Sequence, residues 1–371
     1  MNFIPVNEPF LPAKAKIYLN QCIDTGWISS EGQFVRDFEE KFAYTVSRQY
    51  GIAVCNGSAA LEVAVAALDI GAGDEVILPT FTIISCAAAI VRAGATPVVI
   101  DADSETWNMD VSQIESAITP RTKAIMVVHI YGLPVDMDAV VAIANKYQLA
   151  IIEDAAEAHG QNYHQRPCGS FGDISTFSFY ANKHVTTGEG GMLLTDDSRL
   201  AEQCRSLRNL CFQKTQRFIH EKLGWNFRMS NLQAAVGIAQ LESIPAITER
   251  KREIGRQYTQ QLESISGLQL PLPKTDYAKN IYWVYGVVLS NDRSETAQEV
   301  MSVLAERNIG TRPFFWPMHQ QPAFSASGLF ENIHCPVAER LACKGFYLPS
   351  GTALIDEDVE IVSRTLKEVL A

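Results

Sequence analysis

The stretch LAIIEDAAEAHGQNYHQRPCGSFGDISTFSFYANKHVTTGEGGMLLT, residues 149–195, holds three short apolar runs separated by polar and glycine-rich segments. The runs at 149–153, 173–178 and 191–195 have the length and β-branched content of buried strands. Amphipathic helical patterns separate most such runs, so we expect an α/β fold with a mainly parallel sheet and helices on both faces. The earlier runs are IAVC (52–55), EVILP (75–79), TPVVI (96–100) and KAIMVV (123–128).

The second part of the chain has a different pattern. A long helical stretch begins at about Met229 and is interrupted by Pro245. It is followed by an aromatic strand pattern, IYWVYGVVL (281–289), a helical pattern, and a loop rich in proline and aromatic residues. We therefore expect a large domain over residues 1–245 and a small C-terminal α+β domain over residues 246–371.

Composition argues against several classes of function. The chain has 371 residues, 47% hydrophobic and 20% charged, with a formal net charge of −11. An acidic chain without a basic run is a poor partner for nucleic acid. No apolar run approaches the ~20 residues of a membrane helix, and the start, MNFIPVNEPFLPAKAK, lacks a basic head followed by an apolar block. The eight scattered cysteines lack zinc-ligand spacing, so we expect reduced thiols, no metal site and a cytoplasmic location.

The segment TFSFYANKHVTTGEGGM (176–192) carries the most specific chemistry. Lys183 follows Ser178, near the end of a predicted strand, by five residues and precedes a glycine-rich turn. A lysine whose amine is partly deprotonated can form an imine with an aldehyde cofactor. For this segment taken alone, a surface lysine beside a turn is the commoner structure.

Two other segments offer partners for such a cofactor. Asp154 follows a predicted strand, where a carboxylate can hold a protonated pyridine nitrogen; the alternative is a helix N-cap. The segment CNGSAAL (55–61) places Gly57 and Ser58 between a strand and a helix, where N–H groups and a hydroxyl suit a phosphate monoester. An ordinary turn with an N-cap is the alternative there. Ser178 offers a second hydroxyl to the phosphate.

The order of these groups along the chain is phosphate cradle, carboxylate, then lysine. In this order and in its motifs, the chain resembles the DegT/DnrJ/EryC1/StrS family of sugar aminotransferases over essentially its whole length. The resemblance implies a type I (aspartate aminotransferase-like) transferase fold with pyridoxal 5'-phosphate (PLP) as cofactor. The matching motifs are GWISSEGQFVRDFE, CNGSAAL, GDEVILPTFT, VVHIYG, IIEDAAEAHG, the lysine segment, NFRMSNLQAAVGIAQLE and RPFFWPMH.

The resemblance assigns roles to individual residues. Lys183 would carry PLP as a Schiff base and move the proton, while Asp154 would hold the pyridine nitrogen. Phe81 would stack on one face of the ring and Ala156 would pack on the other. Asn226 would reach the phosphate in the neighbouring subunit, so the active site would be shared across a homodimer. The expected cofactor-binding residues are Gly57, Ser58, Phe81, Asp154, Ala156, Ser178, Lys183 and Asn226.

Two residues depart from the usual motifs. Ala181 stands two positions before the lysine, where many relatives have proline, and Ser58 stands where many have threonine. Neither change removes a chemical group that the cofactor needs. Related C3 dehydratases replace the lysine with histidine, whereas this chain has Lys183 followed by His184. The spacing of Lys183 from Ser178 therefore favours an aminotransferase.

The resemblance extends to the substrates. It implies transfer of an amino group from L-glutamate to a nucleotide-linked 4-keto-6-deoxy sugar. The favoured sugar is GDP-4-keto-6-deoxymannose, which would give GDP-perosamine for lipopolysaccharide O-antigen. A dTDP- or UDP-linked sugar, or amination at C3, stays open. The expected substrate-binding residues are Trp27, Ser29, Glu157, His159, Arg312, Phe315, Trp316 and His319.

Other interpretations exist for some of these residues and for the chain. Phe314 to Trp316 can be packing of the small domain, and His129 is better interpreted as a structural histidine. A PLP-dependent sugar 3-dehydratase and a non-catalytic regulator are alternative functions, and Lys183 disfavours both. A nicotinamide oxidoreductase is disfavoured because no GxGxxG follows the first strand.

Overall fold

The computed structural model describes residues 2–213 and 215–371. Its strands are β1 (Tyr50–Val54), β2 (Glu75–Pro79), β3 (Thr96–Ile100), β4 (Thr122–Val128), β5 (Ala150–Asp154), β6 (Asn162–Tyr163), β7 (Arg166–Pro167), β8 (Ile174–Ser178), β9 (Gly191–Thr195), β10 (Leu268–Gln269), β11 (Tyr285–Leu289), β12 (Arg312–Pro313) and β13 (Gly345–Leu348). Its α-helices are α1 (Ala13–Thr25), α2 (Gln33–Thr45), α3 (Gly57–Ala67), α4 (Ile84–Arg92), α5 (Ile114–Ala117), α6 (Met137–Tyr147), α7 (Ser198–Leu207), α8 (Asn231–Leu241), α9 (Ile244–Leu262), α10 (Ala297–Glu306), α11 (Pro322–Ser325), α12 (Pro336–Lys344) and α13 (Asp356–Val369).

The large sheet has seven strands in the order β1-β9-β8-β5-β4-β2-β3. The neighbouring pairs from β3 to β8 are parallel, whereas β9 runs antiparallel to both β8 and β1. Each of these seven strands coincides with an apolar run of the sequence to within two residues. The predicted α/β fold with a mainly parallel sheet is confirmed.

Both faces of the large sheet are covered by helices. Side chains alternate between the faces along a strand, so Met126 and Val128 of β4 join a buried cluster with α3 and α4. Ile125 and Val127 point the other way and join a second cluster with α2 and α6. Because both faces are buried, most residues of these strands are apolar.

The C-terminal part builds a second unit around the antiparallel sheet β10-β11-β13-β12. Helices α9, α10 and α13 pack on this sheet in a third buried cluster. Ile4 also belongs to this cluster and pairs with Ile309. The predicted boundary at 245/246 falls just inside the start of α9 and stays a prediction. Among the described residues, none of the helices has the length and apolar character to cross a membrane.

Candidate active site

A cavity of about 570 Å³ opens at the carboxyl ends of β5 and β8 and at the start of α3. Strand β5 ends at Asp154, strand β8 ends at Ser178, and the loop after β8 carries Lys183. The carboxyl edge of a parallel sheet brings together side chains that are far apart in sequence. Trp283 and Tyr347 of the second unit close the cavity on the other side.

Lys183 and Glu157 form a buried pair in this cavity. The Lys183 side chain is 10% exposed, and its Nζ lies 3.6 Å from Oε1 of Glu157. Burial lowers the pKa of Lys183, although Glu157 and Asp154 oppose the shift. Burial raises the pKa of Glu157, against the opposing effect of Lys183. Both shifts favour the neutral forms. At a given pH, a larger fraction of Lys183 is therefore the neutral, nucleophilic amine than for an exposed lysine.

Asp154 lies deeper in the cavity and is 3% exposed. Its Oδ1 accepts the backbone N–H of Ala156 at 3.0 Å, and its Oδ2 accepts the thiol of Cys86 at 3.3 Å. Burial raises the pKa of Asp154, while the Ala156 N–H and Lys183 oppose the shift. A buried carboxylate with only one backbone donor and one weak thiol donor is a good acceptor for a cationic N–H.

The start of α3 supplies anion-binding groups. The side chain of Asn56 caps the helix by accepting the N–H of Ala59 at 2.8 Å. The N–H groups of Gly57 and Ser58 come before that position, and first-turn N–H groups have no acceptor within their own helix. Together with the helix dipole, these groups favour an anion at this end of the cavity.

Two serine hydroxyls flank the helix start. Ser58 Oγ lies 2.7 Å from Oγ of Ser85, which also lines the cavity. Ser178 approaches the helix so closely that a Cβ added to Gly57 would lie 2.6 Å from Ser178 Cβ. Glycine is therefore needed for β8 and α3 to meet at the cavity floor.

These groups fit PLP in three independent ways. The helix start and its serines suit the phosphate, Asp154 suits the ring nitrogen, and Lys183 suits the aldehyde. The volume of about 570 Å³ leaves room for a second molecule beside the cofactor. In residues 2–213 and 215–371, no group of three His, Cys, Asp or Glu side chains is placed to hold a metal ion.

Comparison with known proteins agrees with this geometry. The sequence pattern of the DegT/DnrJ/EryC1/StrS aminotransferase family matches residues 12–367. The chain belongs to this family. It is 42% identical to the GDP-perosamine synthase of Escherichia coli O157:H7, covering 99% of both chains. It is 40% identical to the GDP-perosamine synthase of Caulobacter vibrioides, covering 99% of this chain and 98% of the relative.

A solved structure gives the same result for the fold. The aminotransferase TlmJ from Streptoalloteichus hindustanus superposes with a TM-score of 0.92 at 30% identity, covering 99% of this chain and 98% of that one. The predicted type I transferase fold and the predicted aminotransferase activity are therefore confirmed for this member of the DegT/DnrJ/EryC1/StrS family.

The cavity of about 570 Å³ brings together eight of the residues that we singled out from the sequence. They are Gly57, Ser58, Asp154, Ala156, Glu157, Ser178, Lys183 and Phe315. Their roles in cofactor and substrate binding stay predictions.

Phe81, expected to stack on the cofactor ring, does not line the cavity. The chain bends after β2, and the Phe81 ring is fully buried against the rings of Tyr131, Phe314 and Phe315 at 5.9, 5.8 and 6.1 Å. Ile83, which is 42% exposed, lines the cavity instead. The bend directs the aromatic ring of Phe81 into the core, while the aliphatic side chain of Ile83 lines the cavity.

Three further predicted residues lie outside the cavity of their own chain. Asn226 is exposed and pairs with Asn209, so its expected role in a neighbouring subunit stays a prediction. Trp27 is 59% exposed and lines a separate cavity of about 390 Å³. Ser29 is exposed beside it, and its carbonyl accepts the N–H of Asn231 at 2.9 Å.

Two buried histidines lie away from the cavity. His159 packs against the rings of Phe177 and Phe179 and lines a different cavity of about 200 Å³. Burial lowers its pKa to about 3, so its imidazole is neutral. His129 contacts Glu153 through Nε2 at 3.0 Å and accepts the N–H of Val135 at 3.2 Å. These contacts agree with the interpretation of His129 as a structural histidine.

His319, expected to bind substrate, instead joins the two units of the chain. It is 8% exposed, with Nδ1 2.8 Å from Oγ1 of Thr80 and Nε2 3.0 Å from Oε1 of Glu339. Thr80 directly follows β2 of the large sheet, whereas Glu339 lies on α12. Both ring nitrogens are used by protein partners, so none is left to face a sugar.

Arg312 and Trp316 are exposed and do not line the cavity, although each is next to a residue that does. Arg312 is paired in register with Tyr347 across β12 and β13, and Tyr347 lines the cavity. Burial raises the pKa of Tyr347 to about 12, and the Arg312 charge opposes that shift. Trp316 is 46% exposed, and its Nε1 donates to the carbonyl of Gln320 at 3.3 Å.

Sequence reasoning missed several lining residues. Ile83 and Ser85 sit at the start of α4, shortly after a correctly predicted strand, and this position was the available signal. Trp283 and Tyr347 come from the second unit, more than 100 positions from Asp154. No local pattern indicates that these two aromatic residues face the large sheet.

Proposed function

We propose that this aminotransferase uses PLP and moves an amino group from L-glutamate to GDP-4-keto-6-deoxymannose, forming GDP-perosamine. The observation that carries the cofactor assignment is the convergence of Lys183, Asp154 and the start of α3 on one cavity. The sugar assignment is supported by the two relatives named GDP-perosamine synthase at 42% and 40% identity.

The protein's groups divide the work of the reaction. When bound, PLP supplies an aldehyde that links to amines and a ring that takes up electron density from the reacting carbon. Lys183 provides a neutral amine for that link because its burial lowers its pKa. Once free again, its amine moves a proton at the reacting carbon, a general base role that contributes roughly 10² to 10⁴ in rate.

Asp154 and Glu157 are the two carboxylates near Lys183. The Asp154 carboxylate would accept a hydrogen bond from the protonated ring nitrogen of bound PLP and so favour the ring form that accepts electron density. Glu157, 3.6 Å from Lys183 Nζ, takes up a proton from the amine when the lysine acts as a nucleophile. The N–H groups of Gly57 and Ser58 would hold the phosphate and thereby position the ring.

The sugar nucleotide would enter past the second unit. Phe315 and Tyr347 form an aromatic wall of the cavity, suited to the apolar face of a 6-deoxy sugar. Because the chain has a net charge of −11, an anionic diphosphate needs a local cation. Arg312, in register with Tyr347 at the rim, is our candidate for that contact.

We also propose a cytoplasmic homodimer with shared active sites that serves lipopolysaccharide O-antigen synthesis. The eight cysteines are all free thiols, which suits a reducing compartment. Asn226, exposed on its own chain, would complete the phosphate site of the neighbouring subunit.

The cofactor assignment is tested by the absorbance of the purified protein mixed with PLP, before and after L-glutamate. We expect a visible band that glutamate removes, and borohydride reduction that fixes the cofactor on the peptide containing Lys183. Lys183→Ala should lose the band and the labelled peptide, whereas Lys146→Ala, an exposed lysine paired with Glu115, should keep both. A band that survives in Lys183→Ala would refute the assignment.

The sugar assignment is tested with a panel of GDP-, dTDP- and UDP-linked 4-keto-6-deoxy sugars and ¹⁵N-labelled glutamate. We expect ¹⁵N at C4 of the GDP-linked product, with one 2-oxoglutarate formed per amino sugar. Turnover restricted to dTDP- or UDP-linked sugars would overturn the nucleotide assignment, and a 3-deoxy product would indicate the dehydratase reaction.

A further inference from the structure

The amine of Lys183 lies on the face of an aromatic ring that nothing in the proposed chemistry requires. Its Nζ is 3.7 Å from the centroid of the Trp283 indole, on the side of the cavity formed by the second unit. Oε1 of Glu157 is 3.6 Å from the same nitrogen. The amine is therefore held between a carboxylate and a π face.

Trp283 is fixed in place by three hydrogen bonds. Its backbone N–H donates to the carbonyl of Tyr131 at 3.0 Å, and its carbonyl accepts the buried amine of Lys251 at 2.8 Å. Its indole Nε1 donates at 2.9 Å to the carbonyl of Asn182, the residue before Lys183. Rotation of the ring would break the hydrogen bond to Asn182. Trp283 is also almost fully buried, with 5% of its surface exposed.

The contact can exist only while the amine is free. An indole face attracts an ammonium through its quadrupole and has no such attraction for a neutral amine or a neutral imine nitrogen, so the contact acts while the free lysine carries a proton. In the proposed function, Lys183 is free after the amino donor has displaced it and before it is linked again. The Trp283 face is thus available to the lysine during the interval in which the lysine moves protons.

We infer that Trp283 is a positioning residue that seats the released Lys183 amine and keeps it over the reacting carbon. This inference rests on the proposed function. This contact restricts the conformations of the flexible lysine side chain. A proton carrier held in the wrong position transfers protons much more slowly. Trp283 touches the lysine, but it exchanges no proton and forms no bond to substrate.

The first readout uses cofactor-free protein. Only the neutral amine captures PLP, so the capture rate plotted against pH has its midpoint at the pKa of Lys183. The π face favours the charged amine and raises this pKa. Trp283→Leu removes the face, so its midpoint should move to lower pH by about 0.4 to 1.5 pH units.

Two further variants define the cause of the shift. Trp283→Phe keeps a π face without the indole N–H, so its midpoint should lie between those of the wild type and Trp283→Leu. Tyr147→Leu removes an aromatic ring that lies under the exposed Lys146, outside the cavity, and should leave the capture midpoint unchanged. Peptide mapping confirms that each variant captures PLP on Lys183.

The second readout is the single-turnover reaction with L-glutamate, followed at saturating donor. Trp283→Leu should slow the step after donor binding roughly 10- to 100-fold, with little change in the donor concentration giving half the maximal rate.

Equal capture midpoints and equal single-turnover rates in Trp283→Leu and the wild type would overturn the inference and leave the proposed function standing. Failure of the wild type to capture PLP on Lys183 would overturn the proposed function itself. If Trp283→Leu does not fold, Trp283→Phe provides the test. A capture midpoint and a single-turnover rate equal to those of the wild type would then overturn the positioning role of Trp283.

Discussion

Lys251 and Lys183 are both buried amines, but their neighbours differ. Lys183 contacts a carboxylate, whereas Lys251 is 3% exposed and donates to the carbonyls of Trp283 and Ser350. Burial lowers the pKa of Lys251 to about 7. A neutral amine has two N–H donors, which match these two carbonyl acceptors.

This arrangement gives the fold a pH-dependent stability at the residue scale. An unfolded lysine keeps its pKa near 10.5, so between about pH 7 and 10.5 the unfolded chain binds one more proton at this site than the folded chain. Stability therefore rises with pH across that window, by at most about 1.4 kcal/mol per pH unit. The denaturant midpoint of the wild type relative to Lys251→Met, both saturated with PLP, should increase from pH 7 to pH 9.

Lys146 provides the control for this prediction because it is exposed. The midpoint of the wild type relative to Lys146→Met should stay flat over the same pH range. A flat difference for Lys251→Met as well would mean that the buried amine stays charged.

Residues adjacent to strands were the predictable part of the site. Lys183, Asp154, Ser58 and Ser178 follow strand ends or close them, and chemistry gathers at that edge of a parallel sheet. The resemblance implies that Phe81 stacks on the cofactor ring, whereas in the structure its side chain is buried and does not line the cavity. The direction of a side chain in a bent segment depends on backbone angles that the sequence pattern does not reveal.

At the scale of elements, helix α3 packs so closely on strand β8 that there is little room for a larger side chain between them. A Cβ on Gly57 would lie 2.6 Å from Ser178 Cβ, closer than real Cβ contacts allow. The two elements would have to separate, moving the N–H groups of α3 from the phosphate position.

Gly57→Ala should therefore weaken PLP binding roughly 5- to 150-fold, since overpacking costs about 1–3 kcal/mol. Fluorescence or absorbance titration of cofactor-free protein with PLP measures the effect. Gly71→Ala is a matched control, because its Cβ would meet only the carbonyl of Ala93 at an ordinary 3.6 Å. Equal PLP affinity in both variants would contradict the proposed phosphate position.

Elements with strong periodicity were predicted well, and short ones were not. The seven strands of the large sheet carry runs of β-branched residues, and each was found where expected. The hairpin of β6 and β7 has two residues in each strand, too few to show alternation. The long helical stretch after Met229 divides into α8 and α9, with Pro245 near the start of α9, where proline is tolerated.

At the scale of the whole molecule, an exposed apolar segment lies next to Asn226. Phe218, Ile219 and Leu223 are 82%, 57% and 93% exposed. Exposed apolar side chains gathered in one segment suit burial by another chain. They support the proposed homodimer, in which Asn226 would reach the phosphate of the neighbouring subunit.

Mixed dimers test this sharing directly. Lys183→Ala should be inactive, and Asn226→Asp should bind PLP poorly because it sets a carboxylate against the phosphate. Co-expression of the two variants in equal amounts should restore about a quarter of the wild-type sites, since half the dimers are mixed and each mixed dimer holds one intact site. Activity no higher than the sum of the two parents would show that each site is built from a single chain.

The pairing of Ile4 with Ile309 has a consequence for how the chain is made. At about 5–20 residues per second, ribosomes add residue 309 some 15 to 60 seconds after residue 4. During that wait the large sheet can form, because its strands lie between Tyr50 and Thr195. The segment around Ile4 is thus synthesised before the large sheet but pairs only after residue 309 has been added, and the second unit is completed only at that point.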